Sequence, residues 1–306
     1  MDALDHLERD RAQTLEHLIP GRFIGIEGRL ARPFWGVLGV WAVFCGALAS
    51  QRLRWNADDL LTLALALLLA ELAWGGLWDL AASVDWFRPL AEGWPPAQPA
   101  SWRGLPYTQP GSPGGRLVRW LNRLVGWWRT SFWPAAGPAL LGVGVAAALA
   151  VVLNRLLPGR LRPLNAAWLA LVGLALAQRC RGKDPLAGQA LAQVGLGWLA
   201  GHLAFAEMTL VSLFLALGVT AAALGTFKLA ADQRRGLALL NSGQIAVAAL
   251  LAALQQPLAA GALGLLLFGQ IVLQPALRLG ADPVAVARRS WPWLLAAMLV
   301  AALALP

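Results

Sequence analysis

Long apolar stretches, broken by short polar ones, set the organisation of this chain. Apolar side chains run with little polar interruption through roughly 33–51, 57–84, 132–153, 164–179, 185–204, 206–227, 236–255, 257–277 and 290–306. About 20 helical residues cover the hydrocarbon core of a bilayer. The pattern therefore predicts an all-α polytopic membrane protein of about nine transmembrane helices, the fourth and ninth short. Most separators are brief, so neighbouring helices should form antiparallel hairpins. The connection over 85–131 is the long one. Its first part, "FRPLAEGWPPAQPASWRGLPYTQPGSPGG", is rich in Pro and Gly and should lack regular structure. In its second part, "RLVRWLNRLVGWWRT", Arg116, Arg119 and Arg123 recur at helical spacing, with Leu117, Trp120, Leu121, Leu124 and Trp128 largely on the other side. That predicts a basic amphipathic helix over 115–130, lying in the membrane interface or docking onto a partner subunit. Residues 1–30 form a charged segment without an apolar core, interrupted at Pro20-Gly21. It reads as a cytoplasmic amphipathic segment rather than a signal peptide, ahead of a membrane domain over 31–306.

Composition agrees with the pattern. Hydrophobic residues make up 58% of the 306, charged residues 13%, and mean hydropathy is +0.59; a soluble domain would be near 25% charged. The net charge of +9 could suggest a nucleic-acid partner, but the cations sit in short loops beside apolar spans. There they set topology and meet lipid headgroups, and no nucleic-acid binding is expected. Of the 25 Lys and Arg, all but Arg52, Arg54, Arg155, Arg160 and Arg162 fall on one side if the segments alternate across the membrane. That side is the cytoplasm. The reading is a multi-pass protein of the cytoplasmic (inner) membrane, N-terminus inside and C-terminus outside. Cys45 and Cys180 show neither disulfide nor metal-ligand spacing.

Two charged stretches interrupt the oil on that cytoplasmic side. "LWDLAASVD" (77–85) holds Asp79 and Asp85; "GTFKLAADQRRG" (225–236) holds Asp232 with Lys228, Arg234 and Arg235. Glu71 stands within the second apolar segment, where an ionisable group is expected to face a cavity, a partner or water. His202 could ligate a chlorin magnesium axially or hydrogen-bond a neighbouring helix. Gly197 and Gly201 beside it are spaced for close helix packing.

Several stretches, taken in order, resemble the UbiA-type intramembrane prenyltransferases, in particular their chlorophyll and bacteriochlorophyll synthase branch. "RPFWGVLGVWAVFCGALAS" (32–50) resembles the first helix of that branch, and "LWDLAASVD" falls at its first Asp-rich motif. "GLGWLAGHLAF" (195–205) resembles its fifth helix, and "GTFKLAADQRRG" falls at its second Asp-rich motif. "GQIVLQPALRLGADPVAVARRSWPW" (269–293) resembles its last loop. The resemblance covers roughly residues 30–306 and implies a nine-helix bundle. In the family, carboxylates on helices two and six hold Mg²⁺, which neutralises the diphosphate leaving group of a prenyl donor.

At the decisive positions this chain departs from the family. Trp78 replaces the leading Asn of the first motif and Ala81-Ala82 occupy the place of its middle Asp. Gly225-Thr226 replace the leading Asn-Asp of the second, and Ala230-Ala231 stand near its Glu. Asp79, Asp85 and Asp232 are the relic carboxylates, matched by Lys228, Arg234 and Arg235, and no metal site is expected. Lys183, Lys228 and Arg234 could face a diphosphate or an anionic headgroup. The resemblance thus implies a catalytically inactive relative. It would be an accessory or assembly subunit, or a binder of bacteriochlorophyll, carotenoid, quinone or another isoprenoid lipid, in a photosynthetic reaction-centre or light-harvesting membrane. Its partners would be membrane lipids and other membrane-protein subunits. The alternative is an active divergent prenyltransferase using Asp79, Asp85, Asp232 and Mg²⁺; a transporter-like bundle is a third reading, against which no internal repeat is visible.

Overall fold

In the computed structural model, the described residues are 35–84, 86, 88, 112–231, 233–275 and 282–305. The amphipathic segment expected over 1–30, most of the Pro/Gly-rich part of the long loop, Asp85 and Asp232 lie outside them; the last residues of that part, Pro113–Gly115, are not irregular as expected but open a helix capped by Ser112. Among the described residues there are helices and no strands. In lipid this follows from the backbone: each N–H and C=O has to be satisfied within its own segment.

Helical rods occupy the predicted segments. We number them α1 (Trp35–Ala49), α2 (Ala57–Leu68 continuing through a π-helical Leu69–Gly75 into Gly76–Ser83) and α3 (Pro113–Trp127, a π-helical Trp128–Phe132, then Trp133–Leu156). Next come α4 (Arg162–Cys180) and α5 (Leu186–Ala190, a π-helical Leu191–Gly195, then Leu196–Phe205). The last four are α6 (Leu210–Ala230), α7 (Gly236–Ala253), α8 (Pro257–Val272) and α9 (Pro283–Leu303). Six stretches are long and apolar enough to cross a membrane: 57–82, 113–156, 159–180, 210–230, 236–253 and 283–303. Shorter apolar helices cover 37–49 and 257–272.

Local chemistry fixes the helix starts. Asn56 accepts a 2.8 Å hydrogen bond from the Asp59 N–H at the head of α2, with Asp58 and Asp59 in the first turn; acids there complement the helix dipole. Thr209 caps α6 through the Ser212 N–H. Asp282 caps α9 through the Val284 N–H, with Pro283 in the first turn. α9 therefore begins well before the predicted 290, because Arg288 and Arg289 had hidden a helix that carries its cations near one end.

The amphipathic helix expected over 115–130 is present but is not separate. It runs from Pro113 straight into the apolar part of α3, a single rod of 44 residues. Pro134 explains the joint. A proline has no N–H to donate backward and its ring crowds the preceding turn; the widened π turn at Trp128–Phe132 absorbs that without ending the helix.

α5 lies at the centre. Every residue of Leu196–Phe205 is buried, with α1 packed on one side and α6 on another. Lipid tails are as apolar as side chains, so close backbone approach and hydrogen bonds hold such helices together. A Cβ on Gly46 would overlap the Trp198 carbonyl, and one on Gly201 would overlap the Val43 carbonyl. The close-packing role expected of Gly197 and Gly201 is thus realised against α1. The Trp198 indole donates to Ser212 Oγ at 3.2 Å, and the Trp41 indole to the Leu295 carbonyl at 3.0 Å, tying α5 to α6 and α1 to α9. Helix α7 packs on α6, and α7 shares a carboxamide ladder with α8 and the turn after it: Gln244 donates to Gln270 at 2.8 Å, and Gln274 and Asn241 exchange bonds at 2.8 and 3.2 Å. On the opposite flank Trp74 donates to Asn165, which donates to Asn154, while Trp74 and Trp168 stack.

Candidate functional site

The two charged stretches lie at one end of the bundle, where α2 ends, α5 begins and α6 ends. Both α2 and α6 pack on the start of α5: the Trp78 ring lies on Gly188, and Gly195 faces Thr220. Asp79 is half-buried on α2 and Lys228 half-buried in the last turn of α6. Lys183 is exposed in the α4–α5 turn, which closes as a helix C-terminal motif: Gly182 adopts φ +66° and the Lys183 N–H bonds to the Gln178 carbonyl. Arg234 and Arg235 are exposed in the α6–α7 turn.

The positions where the family motifs would place polar ligands are used otherwise. Trp78 is 2% exposed, its indole filling the α2–α5 seam. Ala81 is buried, and the Ala82 carbonyl accepts a hydrogen bond from Arg179 of α4. The Leu80 carbonyl accepts from the Trp86 indole at 3.2 Å. Protein donors thus occupy carbonyls at the end of α2. Sequence reading passed over Arg179; a cation in the last turn of α4, beside the C-terminus of α2, was its one legible signal. On α6, Gly225 is pressed onto the α7 backbone at Leu240 and Gly236. Thr226 is fully buried and donates to the Ala222 carbonyl at 3.1 Å. Gly225 therefore belongs to the α6–α7 contact, and the Thr226 hydroxyl is spent on its own helix. Among the described residues no three His, Cys, Asp or Glu side chains gather to hold a metal, and these positions do not fit the octahedral oxygen shell that Mg²⁺ requires.

His202 lies near the far end of α5. Its Nε2 is 3.0 Å from the Glu207 carbonyl and the residue is 3% exposed. An axial ligand has to present its nitrogen to an open face as wide as a macrocycle, and this enclosure favours the packing role.

Glu71 is the carboxylate whose surroundings only the fold reveals. It sits in the π-helical stretch of α2, which touches both α1 and the π-helical stretch of α5. A Cβ on Gly39 of α1 would lie 3.6 Å from Glu71 Oε2 and 3.8 Å from the Gln193 carbonyl. The Gln193 side-chain oxygen is buried without a hydrogen-bond partner among the described residues. π turns recur where a helix positions a functional group, and two of them meet at this carboxylate. Glu71→Gln keeps shape and hydrogen bonding and is expected to change stability by less than about 1 kcal/mol. Glu71→Leu strands its partners and should cost about 1–3 kcal/mol. Unfolding titrations in mixed detergent micelles measure both, and equal stability of the two variants would refute a bonded carboxylate.

The arrangement defines a class, a polytopic α-helical membrane protein whose charges gather at helix ends. No family model, no curated protein and no solved structure matches the chain.

Proposed function

We propose that this chain is a catalytically silent relative of the bacteriochlorophyll synthase branch of UbiA-type prenyltransferases. On this reading it is a nine-helix bundle of the cytoplasmic membrane, N-terminus inside and C-terminus outside. It serves as an accessory or assembly subunit, or as a pigment- or isoprenoid-binding component, of a photosynthetic membrane complex. One observation carries the loss of catalysis. Of the positions corresponding to the Asn-Asp of the second motif, Gly225 is consumed in the α6–α7 contact, and Thr226 is fully buried with its hydroxyl bonded to the Ala222 carbonyl. On the facing motif, the Trp78 indole fills the seam beside Asp79. A diphosphate chelated by divalent metal needs a carboxylate-rich cradle. Asp79 stands at an end of the bundle where Lys183, Lys228, Arg234 and Arg235 offset it and Asp184, which leaves little negative field to concentrate divalent cations.

The purified protein, given Mg²⁺, geranylgeranyl diphosphate and bacteriochlorophyllide, is expected to form no esterified pigment. Turnover that disappears on Asp79→Asn would establish the active-prenyltransferase alternative instead. Mild-detergent purification from the native membrane tests the positive half of the proposal. Co-purifying membrane subunits or a pigment absorption spectrum support it; a lone, colourless protein free of isoprenoid lipid overturns it.

A further inference from the structure

The first third of α3 is an amphipathic helix whose apolar side faces outward. Ser112 caps it by accepting from the Gly115 N–H, and Pro113 starts it. Leu117, Trp120, Leu121 and Val125 are 58%, 52%, 42% and 47% exposed. Among the described residues no other helix packs extensively along Pro113–Trp127. Arg116, Arg119, Arg123 and Arg129 are all exposed, and the rod 113–156 contains no acidic residue.

Length determines where this helix has to be. A rod of 44 residues is about 66 Å long, against roughly 30 Å of hydrocarbon. The apolar stretch Trp133–Leu156 takes the membrane, so 113–127 lies beyond it, at the surface and covalently continuous with the span. At the boundary comes the π-helical Trp128–Phe132, followed by Pro134. Aromatic rings collect there: Trp128 and Phe132 stack with centroids 4.7 Å apart, and Trp127 and Trp133 adjoin them. Aromatic residues favour the headgroup level. The π turn and the proline leave the backbone ladder weakest at that level, so the helix can bend there at least cost.

We infer that Pro113–Trp127 is a docking arm for an anionic phospholipid surface. It folds down at the Trp128–Phe132 joint to set Leu117, Trp120, Leu121 and Val125 among the acyl chains and its arginines among the headgroup phosphates. Charge complementarity selects the occupant: the helix offers cations and apolar area with no carboxylate. Continuity with the span keeps it within reach of the leaflet. The inference stands apart from the proposed function, since it uses none of the residues of the α2–α5–α6 site.

The test uses the full chain with Cys180→Ser, Cys45 being buried, and a spin label at Leu121→Cys or Arg119→Cys. Nanodiscs are made of phosphatidylcholine alone or of an equal mixture with phosphatidylglycerol. In anionic nanodiscs the label at 121 should be accessible to oxygen and shielded from a water-soluble nickel chelate, and the label at 119 should show the reverse bias. Each arginine near an anionic leaflet contributes roughly a fivefold bias toward the bound state. Replacing Arg116, Arg119 and Arg123 by Gln should therefore lower docking about a hundredfold. Nickel access at 121 in anionic nanodiscs overturns the proposal. So does equal burial in both lipids, or burial seen only in native membranes, which would assign the face to a protein partner.

Discussion

Gly201→Leu is expected to leave little folded protein. The α1–α5 crossing is reciprocal: Gly201 lies against the Val43 carbonyl and Gly46 against that of Trp198. Each Cβ would enter backbone rather than a movable side chain, so neither helix can yield without separating over its whole contact. Overpacking a tight core costs about 1–3 kcal/mol; here, with backbone on both sides and α5 buried along Leu196–Phe205, the loss should exceed about 4 kcal/mol. Gly144 and Gly173 supply the control, because a Cβ at either meets nothing within 4 Å. Gly144→Ala and Gly173→Ala should be neutral, or stabilising by up to about 1 kcal/mol from helix propensity. Folded yield and unfolding titration in detergent measure all of them. Wild-type stability in Gly201→Leu would show that the α1–α5 contact has been misplaced.

Introducing on α6 the polar residues of the prenyltransferase motif it resembles should break the fold rather than create chemistry. Gly225→Asn puts a side chain into Leu240 and Gly236 of α7, at an expected cost above about 3 kcal/mol. Trp78→Asn removes a nearly fully buried indole and should cost about 3–5 kcal/mol through the cavity it leaves. Neither variant should gain prenyl transfer. Thermal unfolding in detergent together with a prenyl-transfer assay decides the matter. A stable Gly225→Asn protein that bound Mg²⁺ would mean that α6 can present this face to a metal after all. At both sites the present side chains are committed to packing, so a polar replacement at either one disturbs a helix contact.

The residue pattern was enough to read a helical membrane protein and to place nearly every helix. Lipid leaves no choice of secondary structure, and apolar length is read directly from composition. It also placed the charges at helix ends, since burying them in hydrocarbon is expensive. It marked Glu71 as exceptional and Gly197 and Gly201 as packing residues. The tertiary structure alone decided what each helix face meets. Gly225 reads as a lost ligand until α7 is seen against it. Glu71 had no legible surroundings, because Gly39 and Gln193 come from two other helices whose rotation hydropathy does not set. The carboxamide ladder of Asn241, Gln244, Gln270 and Gln274 was hidden because nothing in the pattern says which faces of α7 and α8 meet, and so was the hold of Arg179 on the end of α2. The join of the basic helix to α3 depended on how a π turn accommodates Pro134. In lipid, hydropathy says that a residue is inside the membrane but not which way it points. Rotation about each helix axis is set by small residues and hydrogen bonds between helices, and those pairings exist only once the bundle has formed.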